Sequence, residues 1–328
     1  MQRPYVILSI SIFVLFLGFV LSIENRRTYH IDYGVSFNQN HAVSLGLDWR
    51  QVYRAIFKEL HPRYIRIAAM WSEIEPLPGE FDFSDVDWMM DEAAKRNTKV
   101  LLVVGQKAPR WPECHVPDWI DQYGNERVKE HLFTYIRMIV ERYRDHPALE
   151  MWQVENEPFI RFTFGNCERY REDVVHEEIE LVRELDTDHR ILVTDSGELS
   201  TWRLAARAGD IFGTTLYRVV RTSSGRIFTY DWLPAIYYRL KSQFFGRTHE
   251  DFFVAELQAE PWFVLAGAER TPLEEQFETM SLERMRRHIE YVRHVGASRA
   301  YLWGVEWWYW LREVHDIREY WDLAREIL

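Results

Sequence analysis

Residues 149–158 read Leu149-Glu150-Met151-Trp152-Gln153-Val154-Glu155-Asn156-Glu157-Pro158. The first six are mostly bulky and apolar, too short a run for a helix, and a polar cluster with a proline ends them. This is the pattern of a buried strand that delivers two glutamates and an asparagine at its carboxyl end. Seven further runs of the same kind flank it, at 30–36, 64–69 and 99–105 before it and at 191–195, 211–217, 252–256 and 299–304 after it. Amphipathic stretches predict helices over 49–60, 86–97, 127–143, 168–185, 200–208, 231–244, 273–295 and 316–327. In the third of these, Tyr135, Ile136, Ile139, Val140 and Tyr143 recur at helical spacing, which marks one buried face. Strand and helix alternate strictly, so the strands are parallel and the helices are their crossovers. Eight such units close into an α/β fold, a (β/α)8 barrel, with functional groups at the carboxyl ends of the strands. A doubly wound sheet is the alternative. It would want fewer strands and a glycine-rich first turn, and the chain has neither GxGxxG nor GxxxxGK[ST].

The rest of the chain bounds the function. Its 328 residues are 47% hydrophobic and 28% charged, which excludes a disordered or collagen-like chain. A net charge of −11 argues against nucleic acid as a partner, because phosphate binding needs a basic face. Residues 6–23, VILSISIFVLFLGFVLSI, carry no charge. They predict one N-terminal transmembrane helix, a signal anchor within residues 1–24, with a cleaved signal peptide as the competing reading. Residues 25–328 show no linker and form one domain, expected outside the cytoplasm. Cys114 and Cys167 are the two cysteines; two free thiols and one disulfide both remain open. No His, Cys or Asp spacing predicts a metal site, and no motif predicts a cofactor.

The segment Trp152–Pro158, with Asn156-Glu157-Pro158 closing the fourth of eight strands, resembles the clan A glycoside hydrolases, TIM-barrel enzymes that include the cellulase-like family 5 and the β-galactosidase-like family 42. Trp71-Ser72-Glu73-Ile74-Glu75-Pro76 followed by Pro78-Gly79-Glu80-Phe81-Asp82-Phe83 resembles the same enzymes. The resemblance implies that Glu157 is the general acid/base, that Asn156 meets the sugar 2-hydroxyl, and that a nucleophilic glutamate ends the seventh strand. Glu256, which closes the run Phe252-Phe253-Val254-Ala255, is the choice, with Glu260 as competitor and otherwise a substrate contact. It further implies that Arg66 and Tyr217 hold the nucleophile and that Trp303 is a sugar platform. Tyr217 lacks the histidine two residues earlier that several of these families carry. Glu198 and Glu306 end the wrong strands and suit substrate hydroxyls better.

Retention is implied as well, with the two carboxyl groups about 5–5.5 Å apart. The expected activity is therefore retaining hydrolysis of a β-glycosidic bond in a carbohydrate partner. A transglycosylase on the same site and a catalytically inactive carbohydrate-binding barrel are the alternatives. Cys114 and Cys167 fall in loops after adjacent strands, where a bridge would staple the rim of the site. The aromatic content points the same way. Trp71, Trp111, Trp119, Trp202, Trp262, Trp303, Trp307, Trp308 and Trp310 follow strand ends, so they are expected to surround the two glutamates. Trp71 and Trp262 are expected to touch substrate, and Trp307–Trp310 to wall one side of the cleft.

Overall fold

A computed structural model describes residues 18, 22–161, 165, 167–222, 224–263 and 267–328. Eight parallel strands close into a barrel: β1 Asp32–Ser36, β2 Tyr64–Ala68, β3 Lys99–Val104, β4 Leu149–Val154, β5 Arg190–Asp195, β6 Ile211–Leu216, β7 Phe252–Gln258 and β8 Arg299–Trp303. Each pairs with the next, and β8 returns to β1 with Asp32 opposite Arg299 and Ser36 opposite Trp303. The crossover helices are α1 Trp49–Ala55, α2 Ser84–Ala94, α3 Asn125–Tyr143, α4 Val175–Leu185, α5 Ala205–Ala208, α6 Ile236–Phe244, α7 Leu282–Val292 and α8 Glu319–Ile327.

One departure from the periodicity has a local cause. The stretch 273–295 is two helices, Leu273–Thr279 and then α7, because Ser281 takes an extended conformation and its hydroxyl accepts from the Arg284 amide, starting a new helix. An additional helix, Val305–His315, follows β8 directly, and a short hairpin pairs Val219–Arg221 with Ile227–Thr229.

Alternation along the strands divides the molecule into layers. Outward residues such as Trp152 and Val154 pack under the helices. Inward residues at the lower end, Tyr64, Leu101, Met151, Leu192, Ile211, Phe253 and Tyr301, form a separate apolar plug inside the barrel. One step higher the inward positions turn polar: Arg66 on β2, Gln153 on β4 and Thr194 on β5, all buried. On β7 this alternation would fail, since Phe253 and Glu256 are an odd number of residues apart. A bulge corrects it. Thr214 pairs with Val254 but Thr215 pairs with Glu256, so Ala255 is the extra residue and Glu256 turns inward above Phe253.

The expected tryptophan wall does not form. Trp307 and Trp308 are fully buried and Trp310 is nearly so. Their indoles are spent inside the protein: Trp307 donates to Gln276 Oε1 at 2.6 Å and Trp308 to the Ala259 carbonyl at 2.7 Å. The helix over Val305–His315 turns these side chains into the layer between elements, where apolar area leaves water. Trp202 is buried in the same way, against Phe212 and Phe252.

The N-terminal run 6–23 lies outside the described residues except for 18, 22 and 23. Among the described residues no helix is long and apolar enough to cross a membrane.

Candidate active site

The end of β4 is bent sharply. Glu155 and Glu157 both have positive φ, 59° and 47°, on either side of Asn156. Non-glycine residues adopt this conformation at a cost and need neighbours to hold them there. Those neighbours are present. The Glu157 amide donates to Thr194 Oγ1 at 2.8 Å, and Lys107 Nζ donates to the Glu157 carbonyl at 3.1 Å. The Glu155 carboxylate accepts from the Gln106 and Lys107 amides at 2.7 and 2.5 Å. Gly105 makes room for it: a Cβ there would meet the Glu155 carboxyl carbon at 2.5 Å.

Glu157 is buried, and its Oε1 accepts from the Thr215 hydroxyl at 3.0 Å. Thr215 is the register partner of Glu256, so the two glutamates face each other between β4 and β7. Burial, and then the charge of Glu256, push the Glu157 carboxyl up to about 8, against the pull of Lys107. Glu256 has a different setting. Arg66 Nη1 donates to its Oε1 at 2.9 Å, and the Tyr217 hydroxyl donates to its Oε2 at 2.7 Å. Arg66 is itself fully buried and makes three further bonds: Nε reaches Gln153 at 2.8 Å, Nη1 the Ala255 carbonyl at 3.2 Å, and Nη2 Asn156 Oδ1 at 2.7 Å. Asn156 gives its oxygen to Arg66, which leaves its NH2 as the donor for a ligand.

The loop after β3 covers one side of the site. Cys114 and Cys167 are bonded, with Cα atoms 5.3 Å apart, which ties this loop to the one after β4. Arg110 in this loop has a φ of 93° and lies over the Trp303 ring, 4.1 Å from its centroid. Its guanidinium holds both oxygens of Glu260 and donates to Glu306 at 3.0 Å. Burial alone would raise the Glu260 carboxyl, but Arg110, and then His41 at 3.7 Å, hold it down at about 2. Glu260 is thus a fixed anion clamped to an arginine, unlike Glu256. His41, Glu260 and Glu306 form the one cluster with metal-ligand spacing among the described residues; Arg110 already supplies the positive charge there.

The tertiary structure brings together Arg66, Asn156, Glu157, Tyr217, Glu256, Glu260 and Trp303. Trp262 is half-buried and meets Tyr217 edge-on, with ring centroids 5.3 Å apart. Trp71 is a correction. It is fully buried, stacked on Tyr135 and bonded through Nε1 to Glu75 at 2.8 Å, so no substrate reaches it. The same Glu75 accepts from the Gly79 amide at 2.8 Å, which makes the Trp71–Pro76 motif a brace. Trp71→Ala is accordingly expected to cost about 3–5 kcal/mol of stability. Denaturant unfolding should show that loss, while KM of the folded protein stays unchanged. Lys107, Arg110, Thr194 and Thr215 were not foreseen as site residues. The inward parity of the β5 and β6 threonines was the available signal for those two; the loop cations left none.

Comparison with known proteins finds likeness in sequence over part of the chain and in fold over most of it. Residues 46–189 match the family model described as beta-galactosidase, glycoside hydrolase family 42. Over this stretch the chain is similar to the beta-galactosidases of that family. Beta-galactosidase Pbg of Clostridium perfringens is 26% identical over 143 residues, which are 38% of this chain and 21% of that protein. Beta-galactosidase BgaB of a Geobacillus species is 33% identical over 115 residues, 30% of this chain and 17% of that protein. The chain therefore matches about a fifth of the length of those curated proteins. A polyextremophilic beta-galactosidase from the Antarctic haloarchaeon Halorubrum lacusprofundi shares the fold, with a TM-score of 0.58 at 16% identity over 83% of this chain and 52% of that one. The family match takes in Arg66, Asn156 and Glu157 and stops short of Tyr217 and Glu256.

Proposed function

We propose that the protein is a retaining β-glycosidase acting on an oligo- or polysaccharide, with Glu256 as nucleophile and Glu157 as general acid/base. The observation that carries this reading is the unequal setting of two facing glutamates. Glu256 has a donor on each oxygen, which aims an anionic carboxylate. Glu157 is pressed by burial and by Glu256 itself into keeping its proton to about pH 8. A carboxyl group kept protonated by its surroundings can serve as the acid, and one aimed by a donor on each oxygen as the nucleophile.

In the first step a Glu256 oxygen attacks the anomeric carbon, and the leaving oxygen takes the Glu157 proton. In the second, Glu157, now a carboxylate, takes a proton from water, which attacks the same carbon and frees Glu256. The Asn156 NH2 is placed to hold a sugar hydroxyl as positive charge develops on the ring. The names of the relatives make a β-galactoside the first substrate to try. The disulfide and the apolar run at 6–23 support an anchored protein with its barrel outside the cytoplasm.

An aryl β-glycoside panel tests the activity, and the anomeric configuration of the first product tests retention. The pH profile tests the acid. The free enzyme needs Glu157 protonated, so kcat/KM is expected to fall as pH rises through about 8. In Glu157→Gln, assayed on a glycoside whose leaving group needs no proton, that limb should vanish. An unchanged limb in the variant would remove Glu157 from the acid role. Stability should move in the same pH window. Because the native state holds this proton and an unfolded glutamate releases it near pH ~4.3, the contribution is full below that value and lost as pH rises through about 8. Glu157→Gln should therefore be the more stable protein at pH 9, which thermal unfolding reads directly.

A further inference from the structure

Helix α6 reads Ile236-Tyr237-Tyr238-Arg239-Leu240-Lys241-Ser242-Gln243-Phe244. One face packs inward through Ile236, Tyr238, Arg239 and Ser242. The opposite face exposes Tyr237, Leu240 and Phe244, at helical spacing, with Phe244 81% exposed. Trp232, just before the helix, is 68% exposed. A contiguous exposed apolar stripe of this kind marks a contact surface. The helix carries no acidic residue, although the chain has 51 acidic residues against 40 basic ones. Lys241 lies 5.2 Å from the Tyr237 ring centroid, and Arg207 lies 5.8 Å from that of Phe245.

The N-terminal chain is fastened to this same helix. Asn25 Oδ1 accepts from the Ile236 amide at 3.0 Å. Arg239 donates to the Glu24 carbonyl and to its carboxylate, both at 3.0 Å, and to the Tyr29 hydroxyl at 2.8 Å. The uncharged run 6–23 ends one residue before Glu24. At about 1.5 Å per residue its 18 residues reach about 27 Å as a helix, close to the hydrocarbon thickness of a bilayer. Where that run leaves the bilayer, helix α6 is one or two residues away, held through its first turn and Arg239.

We infer that the exposed face of α6, with Trp232, Tyr237, Leu240 and Phe244, rests on the lipid surface from which residues 6–23 emerge. Tryptophan and tyrosine favour the level of the headgroups, leucine and phenylalanine enter the acyl boundary, and the exposed Arg207 faces anionic lipid, while Lys241 is turned inward onto the Ser200 carbonyl at 2.6 Å. In a barrel the start of a crossover helix lies at the carboxyl end of the strands. Asn25 binds the first residue of α6, so this contact would hold the cleft end of the barrel close to the membrane, toward glycans presented there. The inference uses the anchoring proposed above and is independent of the glycosidase chemistry.

The test uses the full chain with Phe244→Cys. Cys114 and Cys167 are paired, so the new thiol is the one to label with a fluorophore. Asp145→Cys, on an exposed residue that follows α3, is the comparison. Both proteins are placed in phosphatidylcholine vesicles with brominated acyl chains, with and without phosphatidylglycerol, and flotation reports anchoring separately. The expected result is flotation of both, with quenching at 244 about threefold or more that at 145 and stronger with the anionic lipid. Flotation with equal quenching at the two positions would overturn the inference, as would failure of the chain to float. A 244 label shielded in detergent without lipid would overturn it too. Shielding that rises with protein concentration would assign the face to a second copy, and concentration-independent shielding to residues 6–23 folding back.

Discussion

Glu256→Ala is expected to lower kcat on an aryl β-glycoside by about 10⁴-fold or more, with the protein still folded. The side chain is held from both sides, by Arg66 at 2.9 Å and Tyr217 at 2.7 Å, and the β7 bulge turns it into the barrel. No other carboxylate occupies that position. Azide should restore turnover of the variant, and the product separates the two glutamates. Azide attacking directly on the face left by Glu256 inverts the centre once and gives the α-glycosyl azide. With Glu157→Ala the glycosyl-enzyme still forms on activated substrates, and azide gives the β-glycosyl azide after two inversions. Glu260→Ala is expected to act mainly on KM, by about 10–100-fold, because Glu260 is clamped to Arg110 and orients it. A Glu256→Ala protein with full activity beside a dead Glu260→Ala protein would reverse the assignment.

Arg66→Ala should be the most damaging single change to stability in the site, at about 3–5 kcal/mol. Arg66 is 1% exposed and joins four groups on two other stretches of chain: Gln153 and Asn156 at the end of β4, and the Ala255 carbonyl and Glu256 on β7. Its loss leaves a buried carboxylate without its cation and the Gln153 side-chain oxygen without its donor. Arg66→Lys keeps the charge, but a single ammonium cannot reach all four partners, so it should recover part of the stability and little of kcat. Removing Glu256 as well should relieve the stranded charge. The double variant Arg66→Ala/Glu256→Ala is therefore expected to be destabilised by less than the sum of the two, with a coupling of about 1–3 kcal/mol from chemical unfolding. Additive losses would mean that Arg66 serves the barrel alone and does not hold Glu256.

The positions legible in the sequence were those with a local signal. Asn156-Glu157-Pro158 stands at the end of an apolar run, so its place at a strand end was legible, while the bend there is held by Thr194 and Lys107 from other parts of the chain. Arg66 was legible because an arginine inside a strand must find a partner. Lys107 and Arg110 were not, because they lie in a loop whose path is set by the Cys114–Cys167 bond and by contacts with Glu155, Glu260 and Glu306. The tryptophans misled for a related reason. A position just past a strand end does not say which way the side chain turns, and the helix Val305–His315 turned Trp307 and Trp308 inward.

Sequence alone therefore determined the barrel, its eight strands and the end at which the chemistry gathers, because those follow from hydrophobic period and chain connectivity. Which of several acids are equivalent is a matter of tertiary structure. Glu155, Glu157, Glu256, Glu260 and Glu306 are all buried glutamates near strand ends. One is tied to backbone amides, one keeps its proton, one is aimed by Arg66 and Tyr217, and two are bound to Arg110. Those differences come from charges and donors carried by distant parts of the chain, so no local stretch of sequence contains them.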